Sequence, residues 1–331
     1  MTVITKDPHM WFVATNDKGS TQTLYNNEHY GHNYPFTFEI NFSDTPTPQT
    51  NTVTAYNLSK KHRQFYKKKQ KCYVAFNWGK TKKILAEGYI SKVDVNQSDG
   101  TTDTLVISFT EGTDYNNVKA NSLKVKKSKE VKKYKTIKET ISGHYKVNKK
   151  TGKRTWVPQK TKKKRVPTRA TKTIMVNKTY RKGTDYLSVI KGVATQAGIK
   201  IDKIQLQKNP LMKKAYTAKG KPLTLLKILV KKTGSSLTYI KGKLEIVDPK
   251  AEKKTWYEVD DQDLIQPPTY NEGSDDEKGT WEVTTPLLPD VSANTGVHLT
   301  SKYIKGYFYV KAGQHTFDIE NAQTQMSLLP M

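Results

Sequence analysis

The stretch that decides the fold is Phe36-Thr37-Phe38-Glu39-Ile40-Asn41-Phe42, in which every second residue is apolar. Side chains alternate between the two faces of a β-strand, so this pattern predicts a strand with one buried face. The same alternation recurs further along the chain, at Cys72, Val74, Phe76, Leu105, Ile107 and Phe109. A succession of such short strands predicts a compact barrel or sandwich over residues 1–120.

A short helix is predicted between these strands. Asn57-Leu58-Ser59 offers helix-capping side chains, and residues 60–71 are predicted to form one strongly basic helix. Its cations are expected to be solvated. They form the second candidate basic patch of the chain, which consists of Lys60, Lys61, Arg63, Lys67, Lys68, Lys69 and Lys71.

Residues 183–250 change from strand to helix periodicity and are predicted to form a small α/β module. Asp185 and Gly198 have the positions of a helix start and a left-handed helix end. Ile199 and Ile201 are predicted to begin a strand. Pro222 is expected at the first position of a second helix that Gly234 ends, and Lys241-Gly242 is predicted to be a two-residue hairpin turn.

The C-terminal part of the chain is predicted to return to strands. Residues 251–280 are interpreted as an acidic, turn-rich linker, since Thr255 to Glu277 holds eight acidic residues and no Lys or Arg. Residues 281–331 are predicted to form an antiparallel meander with turns at Lys305-Gly306 and Ala312-Gly313-Gln314.

Most of the positive charge lies in residues 121–182, which carry 23 Lys and Arg and only two acids, Glu130 and Glu139. The whole chain of 331 residues has a formal net charge of +27, so the remainder is close to an ordinary surface balance. Lys and Thr alternate here with Val, Tyr and Ile, and residues 148–153 have turn composition. The segment is predicted to be a long hairpin or extended loop without a core of its own.

Two interpretations of this basic segment stay open. Its cations and one aromatic residue suit phosphate contact with base stacking. The alternative is a solvated or subunit-facing hairpin that matches an acidic partner, of which residues 255–277, in the same or a neighbouring chain, are one candidate. The candidate contact residues are Lys149, Lys150, Lys153, Arg154, Trp156, Lys160, Lys162, Lys163, Lys164, Arg165 and Arg169.

No catalytic residue, metal site or cofactor is predicted. Nucleophile-elbow, P-loop, dinucleotide and HExxH patterns are missing from the sequence. The pair His29 and His32 lacks a third metal ligand, and Glu277 and Glu282 lack a supporting motif for glycoside hydrolysis. The cluster Asp260, Asp261 and Asp263 is expected to be a solvated part of the linker.

Composition bounds the class of protein further. Cys72 is the only cysteine, which excludes an intrachain disulfide, and it is expected to be a buried residue within a strand. No signal peptide is visible at the N-terminus, and no stretch approaches the roughly 20 apolar residues of a membrane span.

Three regions of the chain resemble the tail or baseplate hub proteins of bacteriophages and related tail machines. The first comprises Phe36 to Phe42, Asn51 to Lys60 and Gly88 to Val93. The second comprises Tyr180 to Ile190, Pro222 to Gly234 and Leu237 to Ile246. The third is formed by Leu287 to Pro289, Val297 to Ser301, Gly306 to Val310 and Gly313 to His315. Together they cover about three quarters of the chain. Residues 125–175 lie between the first two regions and are interpreted as an insertion.

The resemblance implies a β-rich α+β protein with two tube-like antiparallel β-barrel or sandwich domains. The first would span 1–120. The second would be assembled from strands before and after the α/β module of 183–250 and would end in 281–331. The basic segment of 121–182 and the acidic linker of 251–280 would complete the chain.

For function, the resemblance implies a non-enzymatic homotrimer at the tail tip of a virion, assembled in the host cytoplasm. The trimer would continue the tail tube, and the genome would pass through it. The implied partners are the distal tail protein, the tape-measure protein and tail-tip, receptor-binding or lytic proteins, with transient contact with phage DNA left open. The alternatives are a nucleic-acid-binding protein that uses 121–182 and a tail-associated cell-wall hydrolase.

Overall fold

The chain divides into two units of very different composition. One unit, here called the body, consists of Met1–Ser122 and Thr179–Met331, and the other, the arm, is Leu123–Lys178. The structure is a computed structural model and describes residues 7–27, 34–94, 97–98, 100–113, 115, 118–249, 251, 256–273, 279–318 and 321–331.

The first part of the body is built from eight strands, as the alternating apolar residues predict. The Phe36–Phe42 stretch forms one of them, with Phe36, Phe38, Ile40 and Phe42 all buried, and Cys72 is buried in another. The strands are β1 (His9–Thr15), β2 (Thr21–Asn26), β3 (Phe36–Ser43), β4 (Thr50–Tyr56), β5 (Lys71–Asn77), β6 (Ile84–Val93), β7 (Gln97–Ser98) and β8 (Asp103–Glu111).

The basic helix predicted over 60–71 is much shorter in the structure. Helix α1 spans only Lys60–Arg63, begins at the N-cap Ser59 and is followed by a turn. Lys69 has a left-handed backbone with φ of 75°, and its N–H donates to the Ile90 carbonyl at 2.7 Å. These contacts to a neighbouring strand replace the helical hydrogen bonds that residues 64–71 would otherwise make.

The arm is a long antiparallel hairpin with a second hairpin at its tip. Its strands are β9 (Lys124–Ile141), β10 (His144–Val147), β11 (Arg154–Val157) and β12 (Lys160–Asn177). Strand β12 pairs with β9 along the full 18 residues of each, and β10 pairs with β11. Of the two forms predicted, a long hairpin and an extended loop, the segment has the hairpin.

The α/β module has both predicted helices. Its elements are β13 (Thr179–Tyr180), α2 (Tyr186–Ala197), β14 (Tyr216–Thr217), α3 (Pro222–Lys231), β15 (Ser236–Ile240) and β16 (Lys243–Val247). Asp185 caps α2 by accepting the Ser188 N–H at 2.9 Å, and Gly198 ends α2 in the left-handed region. Lys241 and Gly242 both have positive φ, as a type I′ turn between two strands requires.

Two details of this module differ from prediction. Ile199 and Ile201 do not begin a strand, because this segment makes only scattered backbone bonds to β16 and a single bridge from Ile204 to Ile246. Helix α3 ends three residues before Gly234, with Lys232 as its C-cap, so Gly234 lies in the following turn.

The last six strands are β17 (Trp256–Asp260), β18 (Thr269–Asn271), β19 (Thr280–Pro286), β20 (Gly296–Thr300), β21 (Lys305–Phe317) and β22 (Ala322–Pro330). The acidic segment predicted as a linker thus contains β17 and β18, since its apolar residues pair with β20 and β19. The predicted turn at Ala312-Gly313-Gln314 is also wrong. Strand β21 runs through it and only shifts register between Val310 and Ala312.

Among the described residues, fourteen strands of the body form one sheet. Its main path runs β18-β19-β22-β21-β3-β4-β8-β6-β5-β1-β2, with β17, β20 and β7 attached beside it. Strand β21 joins the two ends of the sequence by pairing with β3. Strand β3 also divides the interior. Phe36, Phe38 and Ile40 belong to a first core, whereas Phe42 belongs to a second core formed with residues of β17 and β19 to β22.

The arm is expected to be dispensable for folding of the body. Its strands pair only with each other within the described residues, and most of its side chains are exposed. We expect that replacing residues 125–175 by a short glycine-containing link leaves the cooperative unfolding of the body intact, because little apolar burial is lost. Chemical denaturation of the full and the shortened chain measures this. A shortened chain without a cooperative transition would contradict the prediction.

Candidate functional site

The arm is the most highly charged surface of the protein. Residues 123–178 hold 21 Lys and Arg and two Glu. An ion pair within the arm joins Lys164 Nζ and Glu139 Oε2 at 3.7 Å, and both side chains are more than half exposed. Most of the other Lys and Arg side chains of the arm are exposed.

The predicted contact residues of the arm are all exposed, but they do not form one patch. Three of them lie in the turn at the tip, two in β11 and six in β12. Because neighbouring residues of a strand point to opposite faces, Lys162 and Lys164 lie on one face of β12, and Lys163, Arg165 and Arg169 on the other. The structure thus divides the predicted site between the tip and the two faces of the hairpin.

The tip carries an exposed aromatic pair beside cations. The rings of Tyr145 and Trp156 lie edge to face with centroids 4.8 Å apart, and Trp156 is 54% exposed. Arg154 precedes this pair on β11, and Lys149, Lys150 and Lys153 lie in the adjoining turn. The tip is the part of the arm where a base or another planar group could stack.

The second basic patch surrounds α1 in the body. Lys60 and Lys61 lie on the helix and Lys67, Lys68 and Lys69 in the following turn, while Lys71 begins β5, and all six are exposed. Arg63 differs from them because its guanidinium bonds the Asp103 carboxylate at 3.1 Å. This residue connects α1 to β8 and is not a free cation.

A buried carboxyl that sequence reasoning missed lies where the α/β module meets the sheet. Glu111 Oε1 accepts the Gly242 N–H at 2.7 Å, from the turn between β15 and β16. Burial raises the pKa of Glu111 to about 7, and the Gly242 hydrogen bond only partly offsets that rise. The sequence did contain a signal for this burial. Glu111 continues the series of alternate residues Leu105, Ile107 and Phe109, which are buried along β8.

The same turn also binds the second part of the sheet. Lys241 Nζ donates to the Pro289 carbonyl at 2.9 Å and lies 3.8 Å from Asp290 Oδ1, and burial lowers the pKa of this lysine. Next to it, the Tyr239 hydroxyl donates to the Thr113 carbonyl at 2.6 Å. Polar contacts therefore fix the α/β module to both parts of the sheet.

The acidic residues that were considered as metal or catalytic sites accept hydrogen bonds within the fold, where the structure describes them. Asp261 accepts the Lys302 N–H, Asp260 accepts the Gln262 N–H, and the Asp263 carboxylate accepts the Asp260 N–H. Glu282 accepts the Ser327 hydroxyl at 2.6 Å. His29, His32 and Glu277 lie outside the described residues. Across the described ranges, no three His, Cys, Asp or Glu side chains group as metal ligands, and no helix is long and apolar enough to cross a membrane.

The large sheet has two open ends. Strand β2 and strand β18 terminate its main path, and no further strand pairs with their outer sides within the described residues. The three residues of β18 are exposed, and so are Thr21 and Thr23 of β2. Unpaired edges of this kind offer backbone donors and acceptors to another chain.

Two solved structures with a similar fold are described as tail proteins. A 43 kDa tail protein of prophage MuSo2 from Shewanella oneidensis has a TM-score of 0.59 at 12% identity, with 98% of both chains covered. The tail protein from Neisseria meningitidis MC58 has a TM-score of 0.57 at 10% identity, with 96% of both chains covered. No family model matches the sequence, and no curated protein matches it significantly.

A third similar structure comes from a secretion machine. The E. coli c3393 protein is described as a component of the type VI secretion system with structural similarity to the T4 bacteriophage tail proteins gp27 and gp5. It has a TM-score of 0.53 at 7% identity and covers 91% of this chain and 75% of its own. The resemblance to phage tail proteins seen in the sequence is thereby confirmed at the level of the fold, which is β-rich α+β.

Proposed function

We propose that this chain is a structural protein of a phage tail or a related tail machine, and that three copies form a hub ring at the tail tip. The observation that carries the proposal is the extent of the fold likeness, which covers 98% of this chain and 98% of the MuSo2 tail protein. A chain that corresponds to a tail protein from end to end is suited to the same kind of structural role.

The organisation of the sheet supports a ring. Each chain contributes two β-regions with separate cores, connected by the pairing of β21 with β3, so three chains would contribute six such regions. The sheet path ends in the open strands β2 and β18. Pairing of these edges between copies would close the sheets around a central hole, which is how symmetric assemblies remove exposed edges.

In this role the ring would continue the tail tube and let the genome pass. Its neighbours would be the distal tail protein, the tape-measure protein and the tip, receptor-binding or lytic proteins, and its location would be the virion. The function is mechanical, since symmetric β-pairing does the work and no reaction is required of the chain.

The edge of β2 offers a direct test. Tyr34 N–H donates to the Tyr25 carbonyl from the side of β2 that faces away from β1. Because backbone groups alternate in direction along a strand, Thr23, two residues earlier, also directs its N–H and carbonyl away from β1. We expect Thr23→Pro to abolish annular particles in electron micrographs while the chain remains folded, because proline removes one outward donor. Thr23→Ala keeps this donor and should form rings. Rings of Thr23→Pro in undiminished number would contradict the proposal.

A second candidate function is nucleic-acid binding by the arm, which the exposed Trp156 and the cations around it favour. Its signature would be an affinity of the intact chain for DNA that falls steeply with salt. We expect Trp156→Ala to weaken such binding if bases stack on the tip. This candidate would be rejected if the intact chain bound duplex and single-stranded DNA no more tightly than the chain in which residues 125–175 are replaced.

A further inference from the structure

The two faces of the arm have different chemistry. In the β9–β12 register, directly paired residues share a face, as in the pairs Val125 with Val176 and Ile137 with Lys164. All seven Val and Ile residues of the two strands lie on one face, here called the aliphatic face: Val125, Val131, Ile137, Ile141, Val166, Ile174 and Val176. The opposite, polar face has no Val or Ile.

The aliphatic face is also charged. It carries eight lysines and one acid in the same register, namely Lys127, Lys129, Lys133, Lys135, Lys160, Lys162, Lys164, Lys172 and Glu139. Ile137 and Ile141 are 41% and 38% exposed. A face of alternating aliphatic and cationic side chains fits a protein surface that has both apolar and acidic side chains, because each type then finds its complement.

The edges of the arm are poorly suited to pairing with further strands. Pro167 lies inside β12 opposite Tyr134 and lacks a backbone donor, so the N–H it would have offered to an added strand is missing. Lysines occur along both strands, as is typical of protected edges. A partner is therefore expected to contact a face of the hairpin.

The arm on its own has little to hold it together. Lys138 faces Lys163, Lys129 faces Lys172, and such like-charge pairs destabilise a ladder. Two-stranded sheets are at best marginally stable in water without a packed face. An acidic surface with apolar residues would relieve both costs at once.

The body carries a surface of the required kind. Residues 256–273, here called the acidic strip, contain five acids and no Lys or Arg. Glu258, Asp260, Asp261 and Glu272 are exposed, and between them Ile265 and Tyr270 are 47% and 53% exposed. The strip thus offers carboxylates to the lysines of the aliphatic face and apolar side chains to its Val and Ile residues.

We propose that the aliphatic face of the arm docks on the acidic strip of a second copy of this chain. The inference rests on the proposed assembly in one respect, that the neighbour is another copy. An 18-residue strand is about 60 Å long, whereas a compact unit the size of the body has a radius of gyration of about 19 Å. An arm of this length is long enough to contact a neighbouring copy, and in a ring it would clamp the adjacent subunit.

The composition favours a protein partner over DNA. Only three of the arm's 21 cations are arginine, the residue whose planar group suits bidentate phosphate contact. Phosphate binding also gives no reason for collecting every Val and Ile on one face. Burial against an apolar protein surface gives that reason directly.

Cross-linking of the full chain tests the docking. Unlabelled and ¹⁵N-labelled chains are mixed before assembly and treated with a carbodiimide, which joins lysines to carboxylates in direct contact. We expect cross-links in which one peptide is unlabelled and the other is ¹⁵N-labelled. These should connect lysines of the aliphatic face, such as Lys133 or Lys135, to Asp260, Asp261 or Glu272.

Two matched double variants test whether the aliphatic face, and not the polar face, makes the contact. Ile137→Thr with Ile174→Thr removes exposed apolar area from the aliphatic face, and Tyr134→Thr with Met175→Thr does so on the polar face. We expect the first pair to lower the yield of mixed-isotope cross-links about tenfold or more, because docking buries the exposed part of each isoleucine side chain and the variant loses that burial. The second pair should leave the yield unchanged.

The outcomes separate the two proposals. Particles of several chains that give no mixed-isotope cross-links between arm and strip would overturn the docking and leave the ring intact. Equal losses in both double variants would also overturn it. Cross-links that form without DNA but disappear when duplex DNA is added at low salt would assign the arm to nucleic acid instead. A chain that never self-associates would overturn both proposals.

Discussion

Gly313→Ala is expected to destabilise the body by about 3 kcal/mol or more, although it adds a single methyl group. Gly313 lies in β21 between Phe42 of β3 and Met326 of β22. A Cβ atom at this position would meet the Gln325 carbonyl oxygen and lie 2.6 Å from the Phe42 ring. Neither can move aside, because one is backbone in a paired strand and the other is a buried ring of the second core.

Denaturant unfolding of the full chain measures this effect. Gln325→Ala is the matched control, since this side chain is exposed on the neighbouring strand and its loss should change the free energy of unfolding by less than about 0.5 kcal/mol. The pairing of β21 with β3 is the connection between the two β-regions. A Gly313→Ala chain as stable as the control would mean that these strands do not approach each other as closely as the structure has them.

Glu111→Gln is expected to stabilise the protein above neutral pH and to have little effect in acid. The folded-state pKa of Glu111 is about 7 against an ordinary 4.5, because burial disfavours the charged carboxylate. Since that pKa is raised, the contribution to stability is fully present below about pH 4.5 and is lost as the pH rises through about 7. Glutamine stays neutral, so the variant should be more stable by about 3 kcal/mol near pH 8.

The measurement is the free energy of unfolding of both proteins as a function of pH. Their difference should grow between about pH 4.5 and pH 7 and then level off. Glu39→Gln changes an exposed carboxylate on β3 and serves as the control for the loss of one charge. A constant difference between Glu111→Gln and the natural chain across this range would show that Glu111 is not buried against the Gly242 turn.

Local signals in the sequence predicted local structure well. The cap Asp185, the left-handed Gly198, Pro222 and the pair Lys241-Gly242 define their helices and turn because each acts on residues a few positions away. The failures occur where distant contacts override such signals. The helix after Ser59 stops early because Lys69 bonds to β6, and the predicted turn at Gly313 is a close approach between strands far apart in sequence.

The candidate site shows the same limit. Composition was sufficient to identify the basic arm as an exposed hairpin, and each predicted cation is indeed at the surface. The segregation of Val and Ile to one face depends on the register of β9 and β12, which the sequence leaves open when both strands are rich in lysine. Glu111 was missed because its importance comes from Gly242, a contact across 131 residues.

We propose above all that this chain completes its sheet with copies of itself. The most direct measurement of this is the mass of the purified chain under native conditions over a wide range of concentration. We expect a particle of three chains that persists on dilution and appears as a ring under the microscope. A mass of one chain at every concentration, with the β2 and β18 edges left to solvent, would contradict it.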